Sequence, residues 1–234
     1  MNTVGFYGKL PIRGDFISRD LPYEFIEHWD DWLQASLHHS QEQLQQQWAE
    51  SFRSSPSWQF ALSEGICAKT GFAGVMLPSH DRIKRHFPLL IGTSLNEPLD
   101  LLTLALNWII WFHQVEQIAL LSQDTQLELD TFAAQVRALE IPSRPALLDN
   151  PSFVKPKTNI FHPLNSLDDL DSVIPIIKHL LLQDKLLHGS VWWTHGNDHT
   201  QPCLLVCNSL PATTQFSSFL VGNWSQWGWR QFEQ

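Results

Sequence analysis

The chain is poor in charge and cysteine, and it carries no internal repeat or low-complexity segment. Only 17% of its 234 residues are Asp, Glu, Lys or Arg, against about 25% in an average domain. A lightly charged surface over a large core follows, and disorder does not fit. Three cysteines, Cys67, Cys203 and Cys207, are too few and odd in number for a disulfide framework, and they suit a reducing cytosol. The opening residues hold no basic stretch followed by an apolar run, so a secretory leader is not expected and a cytoplasmic location is. Basic residues are scarce as well. Fifteen Lys and Arg against 24 acids give a formal net charge of −9, and such a chain repels nucleic acid unless its cations are concentrated in a patch. The densest basic stretch is Arg82, Lys84, Arg85 and His86, so no nucleic-acid partner is expected. The most membrane-like run, residues 99–112, is interrupted by Asp100, Thr103 and Asn107. A span needs about 20 mostly apolar residues; this run reads as a central buried helix with no direct membrane insertion.

Hydrophobic residues make up 43% of the chain, and eleven are tryptophans. Indole is enriched at contact surfaces, and its N–H needs a partner when buried. Most of these tryptophans read as core.

Periodicity sorts the chain into elements. Residues 4–7 read as an opening strand, and 9–20, with Pro11 and Gly14, as a loop. Phe25, Trp29, Leu33 and Leu37 step by four from Pro22, with Asp20 as the expected cap and Leu44 and Trp48 extending the stripe. Residues 58–62, 72–77 and 87–95 predict an antiparallel meander. Asn96 is the expected cap of the central helix, and Leu129, Phe132, Val136 and Leu139 predict a second amphipathic helix. Residues 141–163, with five prolines, read as an irregular connector. Ser166 and Asp169 form a capping-box pattern before the stripe Leu170, Ile174, Ile177 and Leu181, which Pro175 should kink or restart, with Gly189 closing it. Residues 191–194 and 203–207 predict a hairpin with a polar tip, followed by a short helix near 212–220. Strands come in runs rather than alternating with helices. That predicts an α+β fold with a mostly antiparallel sheet, over residues 1–234 as one domain.

Candidate chemistry is thin. Gly8-Lys9 lacks the upstream glycine and downstream hydroxyl of a phosphate loop. His195, His199, Cys203 and Cys207 are zinc-type side chains, but their spacing matches no standard pattern. The two cysteines should share one face of a strand as small buried side chains, so neither a metal nor another cofactor is expected. Two polar clusters remain: Lys9, Arg13, Asp15 and Arg19 in the first loop, and Ser79, Asp81, Arg82 and Arg85 in the second. Gly8, Pro11, Gly14, Pro78 and Pro88 would shape these loops. Three readings stay open: an ion-pair network joining the loops, a partner-binding patch, or a hydrolase-type set of Ser79, His80 and Asp81.

Residues 5–22, GFYGKLPIRGDFISRDLP, and 74–89, GVMLPSHDRIKRHFPL, are distinctive as wholes, with Trp29-Asp-Asp-Trp32-Leu33 and Ser55-Pro-Ser-Trp58-Gln-Phe60 between them. This set resembles the TagF (ImpM) family associated with bacterial type VI secretion. The likeness covers residues 4–95, weakens through the central helices and returns at 190–196. Gly8, Lys9, Pro11, Gly14, Asp15, Arg19, Pro78, Ser79, Asp81, Arg85 and Pro88 match the family pattern. His80 stands where the family carries an apolar residue, and Lys84 where glycine is common. Some relatives carry a fused phosphatase domain, which this chain, ending at Gln234, is not expected to have. The resemblance implies a longin- or roadblock-like α/β/α sandwich with helices on both faces of the sheet. It implies a non-enzymatic cytoplasmic repressor acting after translation by binding the FHA-domain scaffold or another secretion component. No catalytic residue carries over. A structural subunit of the apparatus is the other non-enzymatic reading.

Overall fold

The fold was analysed in a computed structural model, which describes residues 3–97, 99–143, 152–183 and 185–232. Its frame is a nine-stranded sheet. In chain order the strands are β1 (Gly5–Gly8), β2 (Ile17–Arg19), β3 (Trp58–Leu62), β4 (Gly71–Leu77), β5 (Leu89–Leu95), β7 (Ile160–Pro163), β9 (Ser190–Thr194), β10 (Cys203–Cys207) and β11 (Arg230–Gln231). Across the sheet they run β11-β7-β10-β9-β3-β4-β5-β1-β2. All neighbours are antiparallel except β11 and β7. Strands β6 (Phe153–Val154) and β8 (Leu186–Leu187) pair separately. The α+β fold and the β3–β4–β5 meander are as the sequence predicts.

Helices cover both faces. On one side lie α1 (Tyr23–Leu44), α2 (Trp48–Arg53) and α7 (Ser217–Val221); on the other lie α3 (Leu101–Asn107), α4 (Ile109–Leu121), α5 (Leu129–Arg137) and α6 (Leu170–Leu180). Side chains alternate across a strand, so Phe60, Phe72, Leu90, Trp192 and Leu205 meet the α1 layer while Ala61, Val75, Ile91, Trp193 and Leu204 meet the α4 layer. Both faces being dry, β3, β4, β9 and β10 are buried at every position. That is why these strands lack the clean apolar–polar alternation of a sheet with one wet face.

Aromatic side chains fill the α1 layer. Phe25 stacks on Phe72 with ring centroids 3.7 Å apart, and Trp29 lies against Phe60 at 4.7 Å. Ten of the eleven tryptophans are buried. Several indoles find oxygen partners, among them Trp32 on Pro211 O and Trp48 on Ser40 Oγ, both at 2.8 Å. Facing strand glycines make the close stack possible. Gly74 and Gly92 pair across β4 and β5, and a Cβ on Gly92 would lie 2.5 Å from the Phe72 ring.

Several expectations change. The central helix is two helices, α3 and α4, joined at Trp108 and running on to Leu121. Its cap is Asp100, whose side chain accepts from Thr103 N–H, rather than Asn96. The first loop contains β2, because Ile17 to Arg19 return antiparallel to β1. Asp20 does not cap α1; its φ is 59° and it pairs with Arg137 of α5 at 2.7 Å. The proline-rich connector holds β6 and β7, and Pro163 ends β7 without being a break; its residues 144–151 lie outside the described ones. α6 runs through Pro175. Gly189 serves the sheet rather than a helix end, since a Cβ there would meet Cys207 O at 2.0 Å. Ser166 caps its turn as expected. Among the described residues, no helix is long and apolar enough to cross a membrane.

Gly92→Ala should force Phe72 off its stack with Phe25. Overpacking of this kind costs about 1–3 kcal/mol, so thermal melting should show a Tm lower by roughly 2–12 °C; an unchanged Tm would mean that the aromatic layer has slack.

Candidate functional site

Sheet register brings the two polar loops together. β5 lies between β4 and β1, with Leu89 opposite both Leu77 and Gly8. The β1–β2 and β4–β5 connections therefore leave the same end of the sheet side by side. They are bonded directly: Arg82 N–H donates to Arg13 O at 2.7 Å, Ser79 Oγ donates to Lys9 O at 2.7 Å, and Arg85 Nη2 donates to Gly14 O at 2.6 Å.

Asp81 is the hub. Its carboxylate is fully buried. Oδ1 accepts the backbone N–H groups of Ile83 (3.0 Å) and Arg85 (2.9 Å). Oδ2 accepts from Arg85 Nε (2.6 Å) and lies 3.2 Å from Lys9 Nζ. Burial alone would raise its pKa, but the bonds from Arg85 and Lys9 outweigh that and hold it well below the usual carboxylate range. The turn closes through Lys84 N–H on Asp81 O and Asp81 N–H on Arg85 O. Lys84 takes a φ of 67° to make it. This is the left-handed conformation that costs a non-glycine residue about 1–2 kcal/mol.

The candidate residues divide by exposure. Lys9, Ser79 and Asp81 are buried in the joint between the loops. Arg13, Asp15, Arg19, Arg82 and Arg85 are exposed. Arg85 is committed to Asp81 and Gly14, and Arg19, on the edge strand β2, donates to Ser18 O. Ser79, His80 and Asp81 do not form a nucleophile–base chain. Ser79 Oγ donates its hydrogen bond to Lys9 O, and the His80 ring nitrogens contact Asp81 O (2.8 Å) and Lys84 Nζ (3.1 Å). Of the zinc-type set, Cys203 and Cys207 are buried on the α1 face of β10, where desolvation pushes both thiols up, whereas His195 and His199 sit exposed on the hairpin tip.

Sequence reasoning missed three contributors. Phe16, 46% exposed, stacks on Tyr7 and meets Phe87 edge-on, with Lys9 Nζ 5.0 Å above its ring. Its place in the string GDF was the available signal. His86 packs against Trp48 and Phe52 with Nδ1 buried and unpartnered. Glu128 and Asp130, at the start of α5, face the loops across a cleft of about 670 Å³ that Arg13, Arg82 and Lys84 line from the other side. No local pattern announces that wall, because it is far away in sequence from both loops.

Asp81→Asn leaves Lys9 buried beside an uncharged amide. Breaking such a pair costs about 3–5 kcal/mol, so Tm should fall on the order of 10 °C; a change below about 1 kcal/mol would show the hub to be dispensable. Burial, then the charges of Arg53, His80, Lys84 and Lys9, lower the His86 pKa from its ordinary 6.5. Below about pH 6.5 the unfolded chain takes up a proton that the folded chain resists, so stability drops as pH falls. Asp81, depressed in the opposite class, loses its contribution only in strong acid. Urea melts at pH 7.5 and 5.5 should therefore differ less for His86→Gln than for the parent, and equal differences would refute the assignment.

Residues 5–139, which hold both loops and end beyond α5, match the TagF N-terminal domain, type VI secretion system-associated. No curated protein sequence matches the chain. Among solved structures the chain is similar to the crystal structure of PA0076 from Pseudomonas aeruginosa PAO1, with 31% identity and a TM-score of 0.75, covering 94% of this chain and 95% of that one. With more than half its length matched by one domain family and its architecture shared with that structure, the chain belongs to the TagF family of type VI secretion system-associated proteins.

Proposed function

We propose that the chain restrains type VI secretion after translation, in the cytoplasm, by binding a component of the apparatus without catalysing a reaction. The FHA-domain scaffold is the partner that the family resemblance implies. The docking surface is the braced loop pair. One observation carries this reading: Asp81, Lys9 and Ser79 are spent inside the joint, which stiffens a platform whose outward side chains include Phe16, Arg13, Arg82 and the 65% exposed Ile83. Aromatic and arginine anchors on a rigid base lose little entropy on binding. The non-catalytic part rests on the commitments of Ser79, His80 and Asp81 to backbone and lysine partners, which leave no nucleophile beside a base.

The test uses cells lacking the native protein, complemented with the parent or with Phe16→Ala/Ile83→Asp, and measures secretion through the apparatus. The parent should suppress secretion. The variant should lose suppression, since removing interface anchors costs about 2 kcal/mol or more of binding. Purified variant must melt close to the parent. Full suppression by a folded variant refutes the platform as the docking surface.

A further inference from the structure

The cleft beside the platform has a charge arrangement that the fold itself does not use. Arg82 and Arg13 are joined through their backbones, and both line the cleft. Neither guanidinium makes a hydrogen bond or ion pair among the described residues, whereas Arg85, three residues on, is fully engaged. Lys84 adds a third cation, its Nζ held against His80 Nε2. Five of the chain's fifteen Lys and Arg residues, Lys9, Arg13, Arg82, Lys84 and Arg85, lie in these two loops of a chain whose net charge is −9. Across the gap stand Glu128 and Asp130, likewise without an ion pair among the described residues. Opposite charges face each other over open space without closing it. Ile12 and Leu127 are partly buried in the cleft lining, and such apolar surface lowers the local dielectric and strengthens charge contacts.

We propose that this cleft holds an extended acidic segment of the protein partner, with Arg13 and Arg82 taking its carboxylates. Guanidinium groups suit this task because their planar donors match a carboxylate two bonds at a time. The acidic wall then fixes orientation, since it repels a carboxylate placed on its side and accepts a backbone amide or a basic side chain there. That wall also selects a peptide over a nucleic acid: a phosphate backbone would carry negative charge along both walls, whereas a peptide varies its charge from residue to residue. The proposal deepens the docking reading above and rests on it for the identity of the ligand as a protein.

The test titrates the full chain with defined probes and follows backbone amide shifts by NMR. A glutamate-rich hexapeptide should perturb the amides of residues 12–13, 80–84 and 125–130, and the effect should vanish near about 0.5 M NaCl, where charges are screened within a few ångströms. Arg13→Gln/Arg82→Gln should weaken binding roughly tenfold or more. Glu128→Gln should tighten it, because a repelling charge is gone. Circular dichroism and melting verify that both variants fold. Absence of localised shifts, equal binding of a lysine-rich hexapeptide, or stronger binding of a short oligothymidylate or of inorganic phosphate would overturn the proposal. Secretion assays separate the two readings. If Phe16→Ala/Ile83→Asp releases secretion while the acidic peptide fails to bind, docking stands and the cleft assignment falls. If the peptide binds the cleft while the platform variant still represses, the docking reading falls alone.

Discussion

A buried carboxylate with four donors holds together the end of the sheet where the two polar loops meet. Asp81 sits where two connections meet, and its oxygens accept hydrogen bonds from Ile83 and Arg85 of its own turn and attract Lys9 of the other loop. A charge taken out of water is tolerated only when such partners surround it. The constraint is reciprocal. The carboxylate draws its donors from both loops. Arg85 extends the brace to Gly14 O, so displacing one loop strips bonds from the other. Even the left-handed Lys84 follows from it, because the turn must reverse tightly enough for Asp81 to reach its own Arg85.

The sheet beneath supplies the fixed base that this joint requires. Both of its faces are dry, and the aromatic layer under α1 is packed by ring stacking as well as burial. Close-packed interiors resist displacement, so the ends of β1, β4 and β5 are held at fixed spacing. Helix α5 packs on the other face against β1, with Phe132 on Phe6 at 5.1 Å, and the Arg137–Asp20 pair ties its far end to the chain leaving β2. The acidic start of α5 is thereby set opposite the cationic loops. The cleft is thus a product of layer packing, which places α5, together with the loop conformation that supplies the cationic side.

This division of labour separates residues that look alike in sequence. Lys9 and Arg13 are both cations of one loop, yet Lys9 is buried against a carboxylate while Arg13 is open. Asp81 and Asp15 are both acids of the family pattern, yet one is fully buried and the other exposed. Residues that look alike in the two loops therefore take two physical positions, buried in the brace or open to solvent. Family membership links the chain to type VI secretion, and the geometry assigns the bracing role residue by residue.

Local pattern alone determined the helix of Phe25, Trp29, Leu33 and Leu37, the β3–β4–β5 meander, the hairpin at 190–207 and the α+β class. Each is set by spacing within a few residues, where period and turn chemistry act. It also singled out the two loops, because their unusual strings need no contact information. Long-range packing decided the rest. Nothing near Asp20 reveals that Arg137 will claim it, nothing near Gly189 reveals the carbonyl of Cys207, and nothing near Arg13 reveals Glu128. Which of the loop charges went inward depended on a partner in the other loop, far away in sequence. Period is a property of neighbours along the chain, whereas the partner of a charge is a property of the folded sheet; only the first can be read before the chain has folded.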